Sequence, residues 1–424
     1  MVLRASVAAS MLGMATGCGR GLEITAVEVE GGLPGSVLVD AGDSGAFAGS
    51  TPVDGGAPDS ATPVVVELFS GSYSSGALAR SSDGRSYGWG EEWLGSLGHP
   101  GNDGVTREPR PTVFPPSKTL GTNYHHSCIV LSSDGSVWCV GSNYGGRLGN
   151  GTTQDSRTLV ATGLGDVAAL SLGSNSTCAL LGSGGVKCWG DNQHGQLGLG
   201  VAGQSRSSPT TEVVGLTDVV ELHSGNDVTC ARKGDDSLWC WGRNDRGQLG
   251  AGPSSGRPVP IGLNVTSFAV GFSHVCAVIK DFRVVCWGEN AKGQLGDGST
   301  TDRAVPAFVL DSTGGGQLSG IDSLALGYEH SCALGKDRRA LCWGSNLVGQ
   351  LGVGAASGAP LDSTPRTHPV AVTGGLTFDR LVAGYAHTCG SSRGGQVYCW
   401  GSHLNIGNDA AGPDVFEPRK IDVF

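Results

Sequence analysis

A stretch of about fifty residues recurs seven times in this chain, and that recurrence restricts its fold more than any other feature. The anchor is a tripeptide: Gly88-Trp89-Gly90, Cys139-Val140-Gly141, Cys188-Trp189-Gly190, Cys240-Trp241-Gly242, Cys286-Trp287-Gly288, Cys342-Trp343-Gly344 and Cys399-Trp400-Gly401. Their first residues lie 51, 49, 52, 46, 56 and 57 positions apart. A second block follows each tripeptide, clearest in Asn192 to Gly198, Asn244 to Gly250, Asn290 to Gly296 and Asn346 to Gly352, with variants at Trp93 to Gly98 and Asn143 to Gly149 and a degenerate copy at Leu404 to Gly407. A polar loop and a short apolar strand such as Pro258 to Ile261 come next. Each unit offers about four short strands with alternating apolar residues and glycine-rich turns, and none shows helical spacing. The 73 glycines serve those turns. Units too small to bury their own faces must stack on one another. The expected fold is therefore all-β: a seven-bladed β-propeller of four-stranded blades.

Upstream of each tripeptide stands text such as Gly271 to Ala277 and Gly327 to Ala333. The order Gly-x-x-His-x-Cys-Ala, then Cys-Trp-Gly-x-Asn-x-x-Gly-Gln-Leu-Gly, resembles the repeat of the regulator of chromosome condensation family, and the resemblance covers nearly all of Val64 to Phe424. It implies a propeller in which Val64 to Leu68 is a first strand and Lys420 to Phe424 a last one that closes the ring. The family includes nuclear exchange factors for a small GTPase and a secreted bacterial inhibitor of β-lactamases, so the resemblance also implies action through protein contacts.

Before the repeats, Met1 and Arg4 supply positive charge, Ala5 to Met14 a short apolar stretch, and Ala15-Thr16-Gly17-Cys18 small residues ahead of a cysteine. This reads as an export signal over residues 1–17, resembling a bacterial lipobox that would leave Cys18 lipidated, with a plain secretory signal as the alternative. Ala15 stands where that motif has Leu. From Gly19 to Pro63 the chain is rich in Gly, Ala, Asp, Ser and Pro, which cannot bury enough apolar surface to order itself. Residues 18–63 are thus expected to be a disordered, acidic linker, and 64–424 the propeller. Net charge is 28 − 38 = −10 overall, and 26 − 31 = −5 from Val64 onward, with no run of Lys or Arg. Such a chain is a poor ligand for nucleic acid.

Twelve of the 13 cysteines fall into six pairs: Cys128-Cys139, Cys178-Cys188, Cys230-Cys240, Cys276-Cys286, Cys332-Cys342 and Cys389-Cys399. Each pair brackets a turn, so the partners should face one another in a hairpin at a separation a disulfide spans. The first unit has Gly76 and Gly88 at what spacing suggests are the two matching places, so the cysteines are absent together. Zinc would call for a denser Cys-x-x-Cys arrangement, which is missing. Disulfides are expected, with buried free cysteines as the alternative, and they place the chain in an oxidising compartment.

Motifs for chemistry are few. Gly252-Pro253-Ser254-Ser255-Gly256 matches the Gly-x-Ser-x-Gly elbow, but no helix pattern follows it, as acyl transfer on that motif needs. His126, His274, His330 and His387 each precede a hairpin cysteine by two residues. In a ring they could converge on a metal or a proton; a repeated bond to a neighbouring turn is the preferred reading, since Ser176 and Val228 replace them elsewhere. No catalytic constellation, metal site or cofactor is expected. The expected function is a non-enzymatic, monomeric binding scaffold, lipid-anchored at a bacterial cell envelope or else secreted. Loops such as Val201 to Glu212, Asp297 to Pro306 and Gly354 to Pro369 would recognise a protein, such as an envelope enzyme, or a glycan. Membrane contact would come only through the anchor. The competing reading is a hydrolase of polysaccharide or peptidoglycan, whose signature would be a carboxylate of raised pKa on one face.

Overall fold

Each repeat folds as an antiparallel meander in which chain order and spatial order agree. In the second unit Ser117–Thr122, His126–Leu131, Val137–Gly141 and Ser156–Ala161 lie side by side in that sequence. The tripeptide occupies the third strand, and its register sets His126 opposite Gly141 and Cys128 opposite Cys139. The same pairing recurs at His274/Gly288, His330/Gly344 and His387/Gly401. The computed structural model describes residues 63–354, 363–407 and 413–424. The expected signal, Cys18 and the linker lie outside the described residues.

The strands form six sheets: four of four strands, one of three and one of seven. Five sheets thus carry four strands or more, and seven separate four-stranded sheets, as expected from sequence, are not what is found. In the third unit the outer segment meets Val186–Gly190 only through single bridges at Lys187/Glu212 and Gly190/Arg206. The seven-stranded sheet arises because Ser255–Val270 is one continuous strand. Up to Asn264 it pairs with Ser237–Gly242, and from Val265 it pairs with His274–Ile279. This is the shortest repeat interval, 46 residues, with no length to spare for a loop between the two units.

Apolar burial lies between units. One cluster joins Leu78 and Leu97 to Leu120, Ile129 and Val140; others join the second unit to the third, the third to the fourth, the fourth to the fifth and the fifth to the sixth. The last cluster runs from Cys332 and Cys342 through Phe378 and Trp400 to Val65, Ala77 and Trp89, so the seventh unit packs on the first. A β-propeller is the architecture that this closed series of neighbours makes. Closure does not use the C-terminal strand as expected: Val415–Ile421 pairs with Val397–Gly401 of its own unit. The seam combines a backbone bond from Tyr385 N–H to the Ser74 carbonyl with the Phe424 ring packed on Tyr87, Arg380 facing Glu67, and Gly407 lying close to the Trp89 ring.

The conserved-looking text of the repeat has a job in each interface. The Asn of the second block accepts from the backbone N–H five residues on, as in Asn143 from Leu148, Asn192 from Leu197, Asn244 from Leu249 and Asn290 from Leu295. This folds the loop so that the Gln or Arg carbonyl faces the next unit. There it accepts the indole N–H of the following Trp: Trp189 to Arg147, Trp241 to Gln196, Trp287 to Gln248, Trp343 to Gln294 and Trp400 to Gln350, at 2.9 to 3.0 Å. Trp89, beside the degenerate seventh block, has no such partner among the described residues. Trp343→Phe should therefore cost about 1–2 kcal/mol, and Trp89→Phe clearly less, in urea unfolding with the disulfides intact. Equal losses would show that the indole bond contributes nothing.

Six disulfides are present, with S–S separations of 2.03 to 2.16 Å between facing residues of the second and third strands. The first unit corrects the expected match. Gly88 faces Leu78, while Gly76 faces Gly90. Leu78, fully buried, stands where the other units have the first cysteine, and Gly76 stands at the histidine position. A Cβ on Gly88 would meet the Leu97 carbonyl oxygen at 2.6 Å and Leu78 Cδ2 at 3.1 Å.

Candidate functional site

The four repeated histidines are spent between units. Nε2 of His126 lies 2.8 Å from Thr177 Oγ1, that of His274 2.9 Å from Ser331 Oγ, that of His330 3.0 Å from Thr388 Oγ1, and that of His387 3.3 Å from Ser70 Oγ. Thr177, Ser331 and Thr388 donate their own hydrogens to the Arg147, Gln294 and Gln350 carbonyls. They must therefore accept from the histidines, which fixes the neutral Nε2–H tautomer. All four rings are fully buried and their Nδ1 atoms have no partner among the described residues. Burial holds His274 and His330 down to about 3, His387 to about 4, and His126 well below its ordinary value. The rings clasp adjacent units.

Ser254 of the elbow-like motif accepts from the Asn244 backbone N–H at 2.9 Å, and a strand, not a helix, begins at Ser255. The adjoining cavity of about 390 Å³ is lined by Leu249, Val259, Ile261 and Pro306 among others, none of them a titratable group. Nothing there can serve as its base.

A different group of residues comes together at one end of the propeller, where the turn between the first and second strands meets the loop after the third. The residue following each tripeptide bonds back to that turn: Glu91 to Ser75, Ser142 to His125, Asp191 to Asn175, Glu289 to Ser273 and Ser345 to Glu329. The turns are also joined to one another through their backbones, Ser174 to Asn226, Asn226 to Phe272, Phe272 to Gly327, Tyr328 to Gly384 and Tyr385 to Ser74. On this stitched ring Tyr73 packs against four rings from other units: Phe272 at 5.0 Å, Tyr385 at 5.5 Å, Tyr124 at 5.6 Å and Tyr328 at 5.8 Å between centroids. Phe272–Tyr328 and Tyr328–Tyr385 are closer still, at 4.3 and 4.7 Å. Tyr385 is 41% exposed, and on the loops of the same end Trp93, Tyr144 and Leu347 are 52%, 55% and 60% exposed.

Carboxylates border these rings. Burial, then Glu91 nearby, raises the Tyr124 hydroxyl; burial, then Tyr385, Glu329 and Glu289, raises Tyr328. Burial pushes Glu289 and Asp227 upward as well. This is the signature anticipated for a hydrolase, but Asp227 is fully engaged. Its Oδ1 accepts from Gln196 and its Oδ2 from Asn226, with Arg243 at 3.7 Å. Of the anticipated recognition loops, Val201 to Glu212 and Asp297 to Pro306 belong to this end: Ser205 bonds Asp191, and Asp302 accepts from Asn290. Residues 355–362 of the third lie outside the described set.

Sequence reasoning missed the aromatic group. Its signal was the first variable position of Gly-x-x-His, aromatic in Gly271-Phe272, Gly327-Tyr328 and Gly384-Tyr385.

Glycine-rich repeats packed unit on unit in a closed series define the class as a β-propeller. The family model described as RCC1-like domain matches residues 119–424, and the chain belongs to that family of protein-interaction propellers. The chain is 29% identical over 326 residues to the human E3 ubiquitin-protein ligase HERC2, covering 73% of this chain and 6% of that protein. It is 32% identical over 108 residues to the mouse probable E3 ubiquitin-protein ligase HERC4, covering 24% and 10%. The chain thus spans a small part of these relatives. Among solved structures, yeast RCC1 (Prp20) bound to Kap60 superposes with a TM-score of 0.69 at 22% identity over 79% of this chain and 83% of that one. Human WBSCR16 superposes with 0.66 at 21% identity over 76% and 86%. Both show the fold alone.

Proposed function

We propose that this protein is a non-enzymatic scaffold of a bacterial cell envelope that holds a protein partner, with a glycan as the other ligand class, on its aromatic end. In this reading residues 1–17 are a signal peptide, 18–63 a tether lipid-anchored at Cys18, and 64–424 a monomeric propeller. The blade number is seven: the three-stranded sheet counts as one blade whose outer strand is reduced to bridges, and the seven-stranded sheet as two blades sharing Ser255–Val270. The six disulfides support an oxidising location.

The observation that carries the binding reading is the aromatic cluster itself. Partly exposed Tyr side chains on turns that are already bonded to one another bind without much ordering cost. The test is capture by the oxidised, immobilised chain from solubilised envelopes and culture medium. One protein should be retained near stoichiometrically, and retention should fall at least about tenfold with Tyr144→Ser/Leu347→Ser, while Phe282→Ser at the opposite end changes nothing. Retention indifferent to Tyr144 and Leu347 would overturn the assignment of the face. Release of soluble sugar from the envelopes would replace the scaffold reading with the hydrolase.

A further inference from the structure

The aromatic end is bordered chiefly by carboxylates, with Arg147, Arg243 and Arg246 set among them. Asp191, Asp227, Asp245, Glu289 and Glu329 form an arc in which neighbours feel one another's charge. Arg243 and Arg246 pair with Asp227, Asp245 and Asp302. Glu289 feels the charge of Arg246, which Asp302 and Asp245 also engage, and Glu289 and Glu329 both act on the Tyr328 ring. Next to carboxylates, the face of an electron-rich ring offers a second attraction for a cation, about 0.5–2 kcal/mol according to exposure. Partial burial raises Glu289 and Arg246 already lowers it, so a further cation near it also favours its charged form. In the same turns and loop starts the Ser72, Ser174 and Ser345 hydroxyls are buried and have no partner among the described residues.

The rings touch one another, so they form a surface and not a cage around a small ion. The exposed Tyr144 and Leu347 lie on loops of the same end. Both properties suit a stretch of polypeptide better than a free amine.

We propose that the aromatic end takes a basic segment of a partner protein, a lysine or arginine side chain lying over Tyr328 and Tyr385 with its charge met by Glu289 and Glu329. This deepens the scaffold reading and rests on it. Charge complementarity selects the occupant: an acidic segment would meet like charges, and nucleic acid likewise.

The probe is a fluorescent peptide of about twelve residues alternating lysine and glycine, titrated against the oxidised full chain by anisotropy, with its fully lysine-acetylated form as control. The cationic peptide should bind at least about tenfold more tightly than the acetylated one. Glu289→Gln/Glu329→Gln should remove about tenfold of that affinity and Tyr328→Leu/Tyr385→Leu about fivefold, with melting temperatures checked for both. Equal affinity for the two peptides, or affinity untouched by both double variants, would overturn the inference. The captured partner separates the two readings. If Tyr144→Ser/Leu347→Ser loses it but Glu289→Gln/Glu329→Gln keeps it fully, the scaffold stands and the basic segment falls.

Discussion

Reducing the six disulfides should unfold this propeller at ordinary temperature. Each bridge closes a loop of 10 or 11 residues. In the chain-entropy account a loop of that length contributes about 3 kcal/mol by restricting the unfolded state. Six such loops come to roughly 18 kcal/mol, more than the whole stability of an ordinary domain. The sulfurs belong to residues with essentially no exposure, so a reductant must wait for a unit to open, and loss of structure should follow reduction in step. The measurement is thermal unfolding followed by near-ultraviolet circular dichroism, with and without thiol, alongside a count of free thiols. Reduction of all twelve cysteines that lowers the melting temperature by less than about 5 °C would show that interface packing alone holds the ring. The first unit, with Leu78 and Gly88 in place of the pair, already shows that one blade can do without.

That first unit also marks how far sequence could go. The repeat specified the strand order, the hairpin register at Cys128/Cys139 and its five counterparts, and a position for each histidine, because those features recur and recurrence is visible. Spacing alone misplaced the first unit's match by two residues, since Gly76 and Leu78 differ only in what faces them across the sheet. The Gly-x-x-His pattern was visible but its cause was not. A Cβ on Gly271, Gly327 or Gly384 would lie 2.3, 2.3 or 2.1 Å from Cε1 of His274, His330 or His387, so the glycine makes room for the ring. The aromatic end was hidden for another reason. Tyr73, Tyr124, Phe272, Tyr328 and Tyr385 are scattered over more than 300 residues, in turns where each looks like an isolated surface residue. Only closure of the seventh unit on the first brings them into contact.

Acid should weaken the propeller well before its carboxylates titrate, and the histidine clasps are the reason. The folded protein keeps His274, His330, His387 and His126 neutral, at about 3, 3, 4 and well below the ordinary 6.5. The unfolded chain protonates them near 6.5. A base whose folded pKa is depressed binds fewer protons in the fold, so its contribution is intact above 6.5 and is lost as pH falls from there toward 3–4, where the loss levels off. Each ring costs about 1.4 kcal/mol per pH unit inside that window, so four together approach about 5 kcal/mol per unit. Protonation is resisted structurally: Nε2–H is already donated to a hydroxyl, and a proton on Nδ1 would find no acceptor. Glu289 and Asp227, shifted upward, oppose the trend only in part and at lower pH. Urea midpoints of the oxidised chain should therefore fall steeply between pH 7.5 and 5. His330→Gln, whose amide can donate to Thr388 but cannot take a proton, should flatten the slope by about a quarter. A midpoint that stays level across that range would mean the buried rings are protonated in the fold, and the neutral Nε2–H clasp between units would have to be abandoned.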